Sequence, residues 1–294
     1  MANLICENTQ NNEINLYDIY SNRLDEYLES LYEDNRSKQT VATYCCCLKK
    51  VIAYAKRYSN CTMNKSMLMQ YKQHLEANYK IGSVNNYINS INKYLNYLGL
   101  DYYCLEYVRV QQVPSIENVL EKREYDFWIE SLIRMANPTT YLIIRTLAST
   151  GIRVGELKFV TAETLEAGGV AIVKNKRKVR EIFIPEHVLI LLQAYCKERG
   201  ISSGPVFRAK NGQNGLHPSS IWRRIQTSAI KYGIDKEKAH PHNFRHIFAK
   251  TYLDKTGDLA SLADVLGHES INTTRIYTRE SKNERRKRIN ALEL

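Results

Sequence analysis

No stretch of this chain comes near the roughly 18 consecutive apolar residues that a membrane-crossing helix requires, so no membrane partner is expected. The opening "MANLICENTQNNEINLYD" has no basic segment followed by an apolar block, which argues against a secretory leader. Cysteine occurs seven times, yet there is no CxxC pair and no Cys/His spacing suited to zinc. Three of the seven stand together as Cys45, Cys46 and Cys47. That pattern excludes a disulfide scaffold and fits free thiols in a reducing cytoplasm. Clustered carboxylates of the kind a two-metal nuclease needs are missing as well. Neither a metal nor a cofactor is therefore expected. Fixed-period repeats and low-complexity tracts are also absent, which removes solenoids from consideration. What remains is 294 residues with 44% hydrophobic content, enough for one large domain or two ordinary ones.

Acidic residues are concentrated at the start. The net charge is +11, but residues 1–35 hold one basic and eight acidic side chains, a net of −7. Residues 36–109 hold eleven basic and three acidic, and residues 110–294 hold 30 basic and 20 acidic. Two successive basic blocks are what a polyanion-binding protein shows, although a solvated basic surface gives the same total.

Hydrophobic spacing predicts helices through the first hundred residues. One covers "LYDIYSNRLDEYLESLYED", a second runs from Thr40 to about Tyr58 and carries Lys49 and Lys50, and a third spans about Lys65 to Asn78. A fourth, "SVNNYINSINKYLNYLGL", has Ser83 as a candidate N-cap and Gly99 as a candidate C-cap. Residues 101–119 have no helical period, contain Pro114, and read as a crossing between domains. Further on, "GGVAIVKNKRKVREIFIP" reads as a β-hairpin with Lys174, Lys176, Arg177 and Lys178 at its tip. Helices are expected to resume at about 186–199, 219–232 (with Arg223 and Arg224), 242–255, 259–266 and 272–290.

Four pieces of the second block carry unusual chemistry. In "STGIRVGEL", Gly151 permits a tight turn and Arg153 falls at a helix start, where a guanidinium beside free backbone N–H groups suits a phosphate. Glu156, three residues on, is placed to hold Arg153; alone, this pair is an ordinary surface ion pair. A lysine on the hairpin tip has the reach to give a proton to a leaving group, or is simply a solvated charge. In "HPHNFRHIF", His242 and Arg245 share a helix face while Phe244, Ile247 and Phe248 point to a core. Last, "LGHESINTTRIY" places His268 after a turn and Tyr277 nine residues later. A phenol with a pKa of about 10 attacks phosphorus only where cations stabilise the developing charge.

The order R…K…HxxR…H…Y, carried by "TGIRVGEL", "HPHNFRHIFA" and "LADVLGHESINTTRIY", resembles the tyrosine recombinase (phage integrase) family, which includes Xer resolvases and transposon integrases. The resemblance covers about residues 36–290. It implies a mainly α fold with a small β-hairpin or sheet, in which two domains form a C-shaped clamp on DNA. Residues 1–108 would be a helical, SAM-like core-binding domain, 109–119 a linker, and 120–294 an α+β catalytic domain with a C-terminal tail. It further implies that Arg153, His242, Arg245 and His268 activate a phosphate, that Glu156 supports them, and that Tyr277 is the nucleophile. The product would be a 3′-phosphotyrosyl bond, and two rounds would pass through a Holliday junction. Many relatives carry GKGxK in the hairpin turn where this chain reads "KNKRK". Counting back from "REIFIP" selects Lys176 as the acid, with Lys174 and Lys178 as alternatives. Lys49, Lys50, Lys174, Arg177, Lys178, Arg223 and Arg224 are expected DNA contacts.

The expected partners are double-stranded DNA, a homotetramer of two dimers on paired sites, and possible accessory proteins. The tail "RRKRINALEL" would dock on the next protomer, or else is a frayed basic end that merely touches phosphate. The expected location is the cytoplasm, at the nucleoid. Alternatives are a monomeric type IB topoisomerase, a DNA-binding relative without covalent chemistry, and, least favoured, a metal-dependent nuclease.

Overall fold

The computed structural model describes residues 16–109, 118–175, 178–209, 212, 214–268, 270–278, 286 and 290. The chain divides into two compact units, Met1–Gln112 and Val113–Leu294, each with its own apolar core. As the sequence implies, it is mainly helical with one small antiparallel sheet. Among the described residues no helix is long and apolar enough to cross a membrane.

The first unit contains α1 (Tyr17–Asn22), α2 (Leu24–Glu33), α3 (Lys38–Tyr58), α4 (Lys65–Asn78) and α5 (Ile81–Tyr97). Ser37 caps α3 by accepting from the Thr40 amide, and Asn64 caps α4 by accepting from that of Met67. Leu48, Val51, Leu68, Ile88, Ile91 and Leu95 meet in the core together with Tyr20, Tyr27, Tyr71 and Tyr94. The Tyr94 hydroxyl donates to the Tyr20 carbonyl at 2.7 Å, so a buried phenol brings its own polar partner. Tyrosine is thus mostly a packing residue here.

Three expectations change in this unit. The opening helix is broken at Arg23 into α1 and α2. Ser83 lies inside α5, whose N-cap is Lys80. Residues 101–109 are not a free crossing: Asp101–Tyr103 forms a 3₁₀ turn and Leu105 is buried in the core. Two α5 side chains seven residues apart act as surrogate strand backbone. Asn92 donates to and accepts from Leu105, and Asn85 does the same for Val108, at 2.8–3.0 Å. A polar segment without periodicity is ordered by asparagine amides, a signal that hydrophobic spacing does not carry.

The second unit is built around α7 (Pro138–Thr150), which packs against α6 (Lys122–Arg134), α9 (Glu186–Arg199), α10 (Pro218–Lys231) and α11 (Pro241–Thr256). Its Leu142, Ile143, Ile144, Leu147 and Ala148 are buried, as expected of a helix apolar on most sides. The short α8 (Ala162–Glu166) leads into strands β1 (Val170–Asn175) and β2 (Lys178–Phe183). Their register pairs Val173 with Arg180 and Asn175 with Lys178. Ala171, Val173 and Ile182 face the core, while Ile172, Lys174, Val179 and Glu181 face solvent. Beyond α11 come α12 (Leu259–Leu266), α13 (Ile271–Thr274) and a 3₁₀ turn, Arg275–Thr278. The single helix expected over 272–290 is therefore replaced by two short turns up to Thr278. The tail beyond lies outside the described residues apart from positions 286 and 290.

Trp128 is the largest fully buried side chain; it packs on Phe244 and donates through Nε1 to Ser228 Oγ at 2.9 Å. Trp128→Ala is expected to cost about 3–5 kcal/mol, from the cavity and the lost hydrogen bond. Urea unfolding would measure it, and a cost under about 1 kcal/mol would mean that the core collapses around the gap.

Candidate active site

Helix α7 ends at Gly151, whose φ of +63° is the left-handed value that stops a helix. A Cβ there would lie 2.5 Å from Phe248 Cδ1 and 2.9 Å from Leu266 Cδ2, so only glycine lets α7, α11 and α12 converge. Two residues on, Arg153 opens a 3₁₀ turn, Val154–Phe159, rather than the α-helix expected. Its backbone N–H is taken by Glu156 Oε2 at 2.9 Å and its Nη1 donates to Glu156 Oε1 at 3.1 Å. The free N–H groups anticipated beside Arg153 are thus partly occupied. Its side chain remains 42% exposed while that of Glu156 is 6% exposed, so the carboxylate is the fixed member of the pair.

Glu156 holds a second arginine. Arg180 reaches across from β2 and donates through Nη2 to Glu156 Oε2 at 2.6 Å, and its Nη1 donates to the Leu266 carbonyl. This residue was not among the sequence candidates. Its signal was alternation: 180 shares the parity of Ile182 and Ile184, so an arginine stands on the inward face of a strand, where a charge needs a partner.

Arg245, on α11, is 2% exposed. Its Nη1 donates to the Gly151 carbonyl at 2.5 Å, and its Nη2 donates to the Leu266 carbonyl at 2.8 Å and to His268 Nε2 at 2.9 Å. Among the described residues no carboxylate pairs with it. Since Arg245 can only donate, His268 Nε2 accepts; Nδ1 then carries the proton and donates to Thr274 Oγ1 at 2.8 Å. Gly267, with φ +65°, sets the turn before His268, and a Cβ on it would lie 2.6 Å from Arg180 Nη1.

Tyr277 is buried, 3% exposed, in a small cluster with Ala249, Leu262 and Leu266. Its ring stacks on His268 at 6.1 Å between centroids with 9° between planes, and meets His246 edge-on at 5.1 Å. The hydroxyl is buried without a hydrogen-bond partner among the described residues. His246, another residue missed from sequence, lies on the α11 face turned towards this cluster.

Electrostatics follow from crowding three arginines together. His268 is pushed down to about 4, first by burial and then by Arg245, Arg153 and Arg180, so its ring is neutral at pH 7. His242, one turn before Arg245, is exposed overall, yet partial desolvation followed by Arg245 and Arg153 lowers its pKa. Burial likewise lowers that of Arg245, with Arg153 adding to it.

The structure therefore gathers Arg153, Glu156, His242, Arg245, His268 and Tyr277, from three stretches of the sequence, 153–156, 242–245 and 268–277. Lys176 and Arg177 lie outside the described residues. Lys174 is exposed and sits on the sheet face opposite Arg180, which counts against it as the lysine serving this site. Lys178 opens β2, where its backbone pairs in register with Asn175. Lys49 and Lys50 are exposed on α3 in the first unit, where Lys50 Nζ donates to the Tyr87 hydroxyl at 2.6 Å. Arg223 and Arg224 are exposed on α10. Among the described residues no three His, Cys, Asp or Glu side chains group as a metal-holding set.

Cations converging beside a buried tyrosine hydroxyl, on a helical unit with a two-stranded sheet, define a class: proteins suited to phosphoryl transfer onto a tyrosine. Residues 111–284 match the phage integrase family, and the chain belongs to it, as a tyrosine recombinase. It is 30% identical over 266 residues to tyrosine recombinase XerA of Pyrococcus furiosus, covering 87% of this chain and 88% of that protein. Tyrosine recombinase XerD of Vibrio cholerae is 28% identical, with coverage of 87% and 90%. The fold is similar to that of XerH site-specific recombinase bound to palindromic difH substrate in a post-cleavage complex. There the TM-score is 0.68 at 22% identity, covering 93% of this chain and 85% of that one. It is also similar to a lambda integrase dimer bound to a COC′ core site, with a TM-score of 0.69 at 16% identity and coverage of 89% and 95%.

The lowered pKa of His268 has a definite sign. A histidine whose folded pKa lies below its unfolded value of about 6.5 adds stability above that pH and loses it as pH falls towards about 4. His268→Gln should therefore be less acid-sensitive than the parent between pH 6.5 and 4, as read by thermal melting. Equal acid sensitivity would mean that the ring is already charged in the native fold.

Proposed function

We propose that this site-specific recombinase cuts duplex DNA by attack of the Tyr277 hydroxyl on a backbone phosphate. One observation carries the reading: the buried Arg245 guanidinium is held by carbonyls rather than a carboxylate, and so keeps its positive charge beside Tyr277. The tyrosine oxygen forms a 3′-phosphotyrosyl ester as the bond to the 5′-oxygen breaks. The phenol proton passes to His242, and a hairpin lysine, Lys176 by the sequence reading, protonates the departing 5′-oxygen. Arg153 and Arg245 bear on the non-bridging oxygens of the pentacoordinate phosphorus. His268 can donate to those oxygens only as its Nε2–H tautomer, reached when Arg245 turns from the ring to the phosphate. A 5′-hydroxyl of the partner duplex then reverses the step, and two rounds pass through a Holliday junction. The ester retains the bond energy, so the exchange needs no ATP.

Double-stranded DNA is the partner. In the full reading, residues 1–108 form a core-binding domain with Lys49 and Lys50 among its contacts, and residues 120–294 form the catalytic domain. Two dimers assemble on paired sites as a tetramer, in the cytoplasm at the nucleoid. The topoisomerase alternative shares the first step, but the relatives that align over 87% of the chain are named recombinases.

Tyr277→Phe should bind DNA nearly as well as the parent and form no SDS-stable adduct with a nicked suicide duplex, since only the phenol oxygen is lost. An adduct with the Phe variant would assign the attack to another residue. Lys176→Ala should slow cleavage strongly, and a 5′-phosphorothiolate at the scissile bond should restore the rate, because sulfur leaves without a proton. Rescue of Lys178→Ala instead would move the acid two residues along the hairpin.

A further inference from the structure

The end of α7 away from Gly151 also concentrates positive charge. Asn137, Thr140, Arg223, Arg224, Lys231 and Tyr232 line a groove of about 410 Å³. A second of about 450 Å³ shares Asn137, Arg224 and Lys231 and adds Arg199 and Arg208. Neither lining contains an Asp or Glu. Among the described residues none of these five cations is in an ion pair, although ion pairs form elsewhere on the same unit. Arg199 lies over the Tyr195 ring and Arg208 donates to the Ser203 carbonyl, contacts that leave their charge in place. Five like charges held together repel one another unless an anion enters.

Two further features point to a ligand. Thr140, 1% exposed, lines the groove, and among the described residues its Oγ1 has no hydrogen-bond partner; the same holds for the buried hydroxyl of Tyr232. Both can donate to an oxyanion. The N-terminus of α7, with Pro138 in its first turn, adds the partial positive charge of a helix dipole at the same place. With 13 residues, α7 spans about 20 Å, so this groove is separate from the Arg153–Arg245 cradle at its other end.

We propose that the groove is a second anion site, one that binds a chain of phosphates. Cations spread over two joined grooves fit several phosphates in a row better than one. The chemistry is common to a free oligophosphate and to a stretch of DNA backbone away from the cleavage point. The proposal stands independently of the role given to Tyr277.

The test uses the full-length chain carrying Arg153→Gln, which weakens the competing cradle. Sodium tripolyphosphate is titrated by thermal shift against this protein, against it with added Arg224→Gln/Lys231→Gln, and against a charge-matched control, Lys56→Gln/Lys93→Gln. The groove variant should need at least ten-fold more tripolyphosphate for the same shift, while the control should match the parent. Thr140→Val, which keeps shape and charge, should weaken binding several-fold and decides the matter if the double variant does not fold. In a second arm, duplex binding is measured against salt. If backbone phosphates occupy the groove, the groove variant should lower the log–log salt slope by about 2. Loss in the first arm alone assigns a free oligophosphate, and loss in the second assigns DNA. Unchanged behaviour in both arms overturns the proposal.

Discussion

The site depends on one interaction, the capture of the Arg245 guanidinium by the carbonyls of Gly151 and Leu266. These carbonyls belong to the C-terminal ends of α7 and α12, where partial negative charge accumulates. Burying an arginine is costly, and pairing it with a carboxylate would offset the cost by cancelling its charge. Two helix ends offset part of that cost and leave the formal charge intact. The same contacts tie α7, α11 and α12 together, and the Leu266 carbonyl also accepts from Arg180, joining the sheet to the assembly. Structure and function share the bond: what closes the unit also supplies an uncommitted cation.

Glu156 sets the balance. It is the only carboxylate within hydrogen-bonding reach of the three arginines among the described residues, and it divides its oxygens between Arg153 and Arg180. Three positive charges against one negative leave a net of +2, with His268 neutral. That excess suits a phosphate gaining charge as it becomes five-coordinate. The two glycines, at 151 and 267, permit the approach; at either one a methyl group would push into a neighbour that holds the site.

The tyrosines show how little residue type says alone. Of the 21, Tyr20, Tyr27, Tyr71 and Tyr94 fill the core of the first unit. Tyr20 and Tyr277 even have in common that each buries a hydroxyl without a partner among the described residues. What separates them is company: Tyr20 packs against Tyr94, whereas Tyr277 lies between two imidazoles, one of which is bonded to Arg245. The same holds for the basic residues, since Arg180 is inward and paired while Lys174, on the same hairpin, faces solvent.

Some of this was written in the sequence by itself. Helical spacing located α3, α4, α9 and α12 within a residue or two, because an apolar stripe at that period has one good way to be buried. The stretch "GGVAIVKNKRKVREIFIP" marked the hairpin, and the order of Arg153, His242, Arg245, His268 and Tyr277 marked the family. Tertiary structure alone decided the rest. The docking of Leu105 and Val108 rests on asparagine amides that leave no hydrophobic trace. The roles of Arg180 and His246 rest on contacts across 86 and 31 residues of chain, to Leu266 and Tyr277. Up to Thr278 the chain forms α13 and a 3₁₀ turn that bring Tyr277 into a cluster with Leu262 and Leu266, a packing that local spacing does not announce. Local spacing reports which face of an element is buried. Which charges then meet, and whether a carbonyl or a carboxylate receives them, is fixed only when distant helix ends converge on one guanidinium.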